Sequence, residues 1–226
     1  MNRADLYKLM AWLSPSYPVG AFTYSHGLEW LVEERSITDA SDLVNWIGFL
    51  VQHGSGRNDS ILFSATYAAT KVQDMPALHR IAALAFSLTA SRERALETLS
   101  QGDAFARVTK DTWQSSTLKQ LHEDGCETVA YPVAVAITAC DHGIDVAPAM
   151  DAYIHGFVAN LVSAGVRLIP LGHTDGQKAM IALKTSVEDA SRNALGMTLD
   201  DLGSSAFLAD IAAMKHETQY TRLFRT

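Results

Sequence analysis

"VAPAMDAYIHGFVANLVSAGVRLI", residues 146–169, is the stretch on which the fold turns. It is hydrophobic on most sides, and Pro170 and Gly172 end it. The span Ile154–Leu171 is the longest near-apolar run in the chain, but His155, Gly156, Asn160, Ser163, Arg167 and Pro170 make it too polar to cross a membrane. A helix that is apolar nearly all round outside a membrane has to be buried by several neighbours. The rest of the chain is therefore read as the helices that bury it.

Downstream, Thr174-Asp175-Gly176-Gln177 has the spacing of a capping box with Thr174 at the N-cap, which opens a helix to about Leu195. A short helix near 205–214 precedes a tail. Upstream, residues 130–142 are mostly small, with Pro132 in the first turn, and predict a central helix that neighbours approach closely. Residues 91–120 form one long helix or two, with Gly102 as the doubtful point. Asp74-Met75-Pro76 opens a helix with Leu78, Ile81, Ala82, Ala85 and Leu88 inside. Residues 59–71 form an alanine-rich helix. Thr38 or Asp39 caps one whose inner face is Leu43, Trp46, Ile47, Leu50 and Val51. Another starts at Leu28, and the first carries Leu6, Leu9, Met10 and Leu13. No segment shows sustained strand alternation, and no repeat or linker divides the chain. The reading is an all-α single domain over 1–226, a bundle of roughly nine or ten helices with a short C-terminal tail, 215–226.

Composition narrows the function. Of 226 residues 48% are hydrophobic and 19% charged, so there is material for a core and no disorder signature. The net charge of −7, with no Lys/Arg patch, argues against nucleic acid. Two cysteines, Cys126 and Cys140, make no disulfide framework. No signal peptide is visible at the start, and the expected location is the cytoplasm.

Chemistry-bearing motifs are scarce. There is no P-loop, no G-x-S-x-G elbow, no H-E-x-x-H and no C-x-x-C. Asp151 and His155 are spaced i, i+4, which suits a surface pair better than a ligand pair. Cys140-Asp141-His142 marks a helix end. Gly156, Asn160, Ser163 and Arg167 form a small-to-polar stripe that reads either as a solvent-facing strip or as a helix, subunit or channel-lining contact; the apolar neighbours of Arg167 suggest that it is buried.

Two further stretches carry more chemistry than a connection needs. In "SPSYPVGAFTYSHGLE", 14–29, Pro15 and Pro18 stiffen the backbone, Gly20 permits positive φ, Phe22 and Tyr24 project, and Ser25 helps start the next helix. That loop either packs internally or docks. "MKHETQYTRLFRT", 214–226, combines His216, Tyr220, Phe224 and three cations without an apolar helical face. It reads as a tail packed on its own domain or as a recognition segment, adding little to the core in the second case.

The first of these, the ending "HETQYTRLFRT" (216–226) and "GVRLIPLGHTDGQ" (165–177) together resemble the signatures of the urease accessory protein UreF family, as does the helical pattern. The departures are His173, where glutamine is expected, and Thr226, where serine is. The resemblance implies a non-enzymatic urease maturation factor, a homodimeric scaffold that bridges a UreD(UreH)-like protein and the GTPase UreG, regulates that GTPase, and through the complex helps insert nickel into apo-urease. It implies no stably bound cofactor, with nickel in transit through the complex, and no nucleic-acid or membrane partner. Partner contacts are then expected at Pro15, Pro18, Gly20, Phe22, Tyr24, Ser25, Glu29, Arg167, His216, Glu217, Tyr220, Arg222, Leu223 and Phe224. Two alternatives stay open: a helical enzyme with a dispersed site around His26, Glu29 and Arg167, or a metallochaperone that holds nickel itself.

Overall fold

The computed structural model describes residues 1–226. Eleven α-helices follow one another: α1 (Arg3–Trp12), α2 (Leu28–Glu33), α3 (Ala40–His53), α4 (Ser55–Lys71), α5 (Met75–Ser87), α6 (Arg92–Asp111), α7 (Ser116–Glu123), α8 (Tyr131–Asp141), α9 (Val146–Leu168), α10 (His173–Ala194) and α11 (Phe207–His216). Short 3₁₀ turns lie at Ala21–Thr23 and Leu199–Asp201, and there is no strand.

The all-α reading holds, with one helix more than the nine or ten expected. The reason lies in 91–120. α6 runs straight through Gly102, and the chain breaks later, at Thr112–Ser115. There Gln114 takes φ +41° and the Ser115 hydroxyl caps α7 by accepting from Leu118 N–H. Asp141 secures the same start, accepting from the Ser115 and Thr117 hydroxyls at 2.6 and 2.7 Å. Cys140-Asp141-His142 is thus a helix end that braces its neighbour. Gly102 serves packing instead: a Cβ there would lie 1.8 Å from the Val129 carbonyl oxygen.

α8 is the central helix, with every residue from Pro132 to Ala139 buried. It packs on α4, α5, α6, α7 and α9. α9, as its composition requires, lies against α1, α2, α3, α4, α8 and α10. Its contact with α3 is close, since a Cβ on Gly165 would come within 2.4 Å of Leu43.

Other boundaries shift for local reasons. Asp39 is the N-cap of α3, accepting from Ser41 and Asp42 N–H. α4 begins at Ser55 rather than near 59, because Gly54 alone turns the chain between α3 and α4. α10 begins before Thr174: Gly172 is its N-cap, and the Asp175 carboxylate takes the Gly172 N–H where Gln177 was expected to act. In α1, Leu9 and Trp12 are buried but Leu6 and Met10 are exposed, since only the side facing α9 is covered.

Candidate functional site

The two ends of the chain meet. Residues 223–226 lie beside 22–25 and bond backbone to backbone. Arg225 N–H donates to Thr23 O at 2.7 Å, and Ser25 N–H donates to Thr226 O at 2.6 Å. The Ser25 hydroxyl adds a second bond to Thr226 O, 2.7 Å long. The polar stripe of α9 seats this pair of segments. Asn160 Nδ2 donates to Tyr24 O, Arg167 Nη2 donates to Phe22 O at 2.9 Å, and the Arg167 guanidinium lies 4.3 Å from the centre of the Phe224 ring. The stripe is therefore a seat within the chain, and Arg167 is exposed rather than buried, stacked on the tail.

The tail packs on its own domain. His216, Phe224 and Thr226 are buried, which corrects the expectation that residues from Lys215 onward add little to the core. Periodicity could not find this, because charges hold the tail. His216 sits between Glu93 and Glu29, at 2.8 and 2.9 Å. Glu29 also accepts the Leu223 and Phe224 N–H groups, and Arg222 Nη1 lies 3.1 Å from Glu93.

A second buried network adjoins it. Arg94 pairs with Glu97 and His26, and the Thr226 hydroxyl donates to Glu97. Burial raises Glu97, but the charge of Arg94 and its hydrogen bond outweigh it and hold the carboxyl below the usual carboxylate range. Burial, helped by the Arg94 charge, lowers His26, and because Arg94 can only donate to Nδ1, that atom holds no hydrogen to share with Glu97 3.4 Å away. Its Nδ1 then accepts from Arg94 and its Nε2–H donates to Ser55 Oγ at 2.6 Å. His26 takes φ +60° and Gly27 φ +76°, and the missing side chain lets Gly27 meet α11, where a Cβ would lie 2.8 Å from Ala213 N.

Arg94 and Glu97 also line a cleft of about 230 Å³, together with Asp59, Gln101, Tyr131, Tyr153 and Asn160; Pro15 and Phe22, both exposed, stand at it as well. Tyr153 donates to Asp59 at 2.8 Å. Burial raises Asp59 to about 6 against the pull of Arg94 and that hydroxyl. A carboxyl raised on folding favours the fold at low pH and loses that contribution as pH rises through its folded value. In Asp59→Asn the amide oxygen still accepts from Tyr153. From about pH 4 to about pH 7 the stability difference between variant and parent should therefore move in the variant's favour by on the order of 2 kcal/mol. Urea midpoints across that range measure it, and parallel curves for the two proteins would refute it.

Of the fourteen expected contact residues, Pro15, Pro18, Phe22, Arg167, Tyr220, Arg222 and Leu223 are exposed. Gly20 and Glu217 are half-buried, and Gly20 has the positive φ anticipated, +72°. Tyr24, Ser25, Glu29, His216 and Phe224 are buried and hold the two segments together. The dispersed-enzyme set is not assembled: His26 engages Ser55 and Arg94, Glu29 the tail, and Arg167 the Phe224 ring. Asp151 and His155 are exposed and form no ion pair. No three His, Cys, Asp or Glu side chains stand together as a metal site, and no helix is long and apolar enough to cross a membrane.

The family model for UreF matches residues 37–184. The chain belongs to the UreF family. It is 45% identical over 223 residues to the urease accessory protein UreF of Rhodopseudomonas palustris strain TIE-1, covering 99% of this chain and 93% of that one. It is 46% identical over 224 residues to the protein of that name from Bradyrhizobium diazoefficiens strain USDA 110, covering 99% and 92%. The matched span holds Glu93, Arg94 and Glu97, while Glu29, His216 and Arg222, which meet Glu93 or its partners, lie outside it.

Reading motifs missed Glu93, Arg94 and Glu97. A signal was available: Glu93, Glu97, Gln101, Ala104 and Phe105 fall on one side of α6, so two carboxylates share the face that the apolar residues bury.

Proposed function

We propose that this UreF-family chain is a non-catalytic scaffold in urease maturation, which joins a UreD(UreH)-like accessory protein to the GTPase UreG and assists GTP-dependent insertion of nickel, as cargo, into apo-urease. It works as a homodimer. One observation carries the scaffold reading. α11 presents Phe207, Leu208, Ile211 and Met214 to solvent at helical spacing, and the tail beyond it presents Tyr220 and Leu223, each at least 47% exposed. Monomeric proteins seldom leave so much apolar surface together, and aromatic and apolar side chains of this kind anchor protein interfaces. Gly27 and the buried Glu29–His216–Glu93 lattice hold that surface in one conformation, which lowers the ordering entropy lost on docking.

The test is co-purification from cells that also carry the candidate partner proteins, with the bound partners identified by mass. Ile211→Asp should abolish recovery of the UreD-like partner and lower urease activation in step, while the melting temperature stays within a few degrees of the parent, because Ile211 is 47% exposed and lies outside the buried core. Full complex recovery with this variant would remove the α11 surface from the interface. Recovery of the parent chain alone, at every salt concentration, would count against the scaffold reading as a whole.

A further inference from the structure

His216 is fully enclosed at the end of α11, and each ring nitrogen faces a carboxylate oxygen. On one side Glu29 also receives two backbone N–H groups, from Leu223 at 2.6 Å and Phe224 at 2.9 Å. Glu29 is therefore an acceptor throughout, and His216 Nε2 carries a hydrogen. On the other side Nδ1 lies 2.8 Å from Glu93 Oε2, and that contact is attractive only if one of the two atoms holds a proton. Without it, a ring lone pair would face a carboxylate oxygen in a site closed to water.

The surrounding charges do not replace that proton. Arg222 binds the other oxygen of Glu93, and Glu217, also near Glu93, accepts from Arg92 N–H. Lys215, next in the chain, is exposed. Arg94 is committed to Glu97 and His26, Asp210 on α11 answers to Arg94, and Glu33 on α2 engages Gln219.

We propose that this one proton, shared by Glu93 and His216, is the latch that holds residues 216–226 on the domain, and that its loss at alkaline pH frees the tail from Glu29 and Ser25. Burial raises Glu93 above the usual carboxylate range, with His216 and Arg222 pulling the other way, the net direction that keeps a proton in the pair. A proton held more tightly in the closed state than in the open one contributes its stability at low pH and loses it as pH rises. The latch acts on the lattice that also holds the proposed docking surface, but its test reads contacts of the chain with itself and does not require the scaffold reading.

Hydrogen exchange on the purified full chain tests it, from about pH 6 to about pH 9 and corrected for base-catalysed intrinsic exchange. Protection of the Ser25, Leu223 and Phe224 amides should fall by up to about tenfold per pH unit in the upper part of the range, while α8 stays protected. Glu93→Gln provides the control. Its amide nitrogen is a permanent donor to Nδ1 of a neutral ring, and its oxygen still accepts from Arg222, so tail protection should no longer depend on pH. Nitrogen NMR of the His216 ring gives a second readout that does not rely on the variant: the Nδ1 signal of the parent should change over the same range in which the tail loosens. Flat tail protection in the parent, equal pH dependence in Glu93→Gln, or a ring signal that stays constant while the tail loosens would each overturn the latch.

Discussion

His216→Ala lowers the stability of the chain by about 3–5 kcal/mol, the loss expected when one member of a buried charge network is removed. The side chain is fully buried, and its two partners, Glu29 and Glu93, have side chains only 8% and 7% exposed. Alanine leaves both carboxyl groups facing a cavity with no ring nitrogen between them. Arg222 still answers Glu93, and the two tail amides still answer Glu29, so the loss falls short of two isolated buried charges. Deleting 216–226 outright removes those as well, together with the buried Phe224 ring and the Thr226 hydroxyl on Glu97. The truncated chain should lose its cooperative melt or aggregate. Urea unfolding followed by circular dichroism measures both, and a loss under about 1 kcal/mol for His216→Ala would show that the lattice does not hold the domain.

The contrast between the bundle and this lattice shows what a sequence displays. α8 and α9 were legible because burial on most sides leaves a compositional trace: small residues from Ala130 to Ala139, and apolar ones around Val158, Leu161 and Val162. The three motifs around Ser25, Arg167 and Phe224 were legible as unusual stretches, but not as one unit. Their contacts are backbone hydrogen bonds and a stacked guanidinium between residues 201 apart in the case of Ser25 and Thr226, and no local period encodes such a pairing. Of the two readings of the tail, packing on its own domain holds, and the expectation that it adds little to the core fails for a related reason. Its lack of an apolar face was taken as freedom from the core, whereas a buried histidine can fix a segment through charge alone. The same holds for Glu93 and Glu97, whose burial depends on Arg94, His26 and His216 arriving from elsewhere in the chain.

Gly102→Ala should be at least as damaging as the loss of His216, at about 4 kcal/mol or more, and for a steric reason. An added Cβ would lie 1.8 Å from the Val129 carbonyl oxygen and 2.9 Å from Ala130 C and Tyr131 N, all backbone atoms with no rotamer to turn aside. Residues 129–131 cannot retreat. Val129 N–H is bonded to Asp103, Tyr131 N–H to Thr98, and Pro132 opens the fully buried turns of α8 directly behind them. α6 cannot move away either without drawing Glu93 and Glu97 from His216 and His26. Gly143→Ala is the matched control. It sits at φ +69° with nothing within 4 Å of the new Cβ, so only the left-handed backbone penalises it, by about 1–2 kcal/mol. If Gly102→Ala melts no lower than Gly143→Ala, then α6 and α8 are free to separate there, and the close approach at Gly102 does not fix the position of the helix that carries the charged lattice.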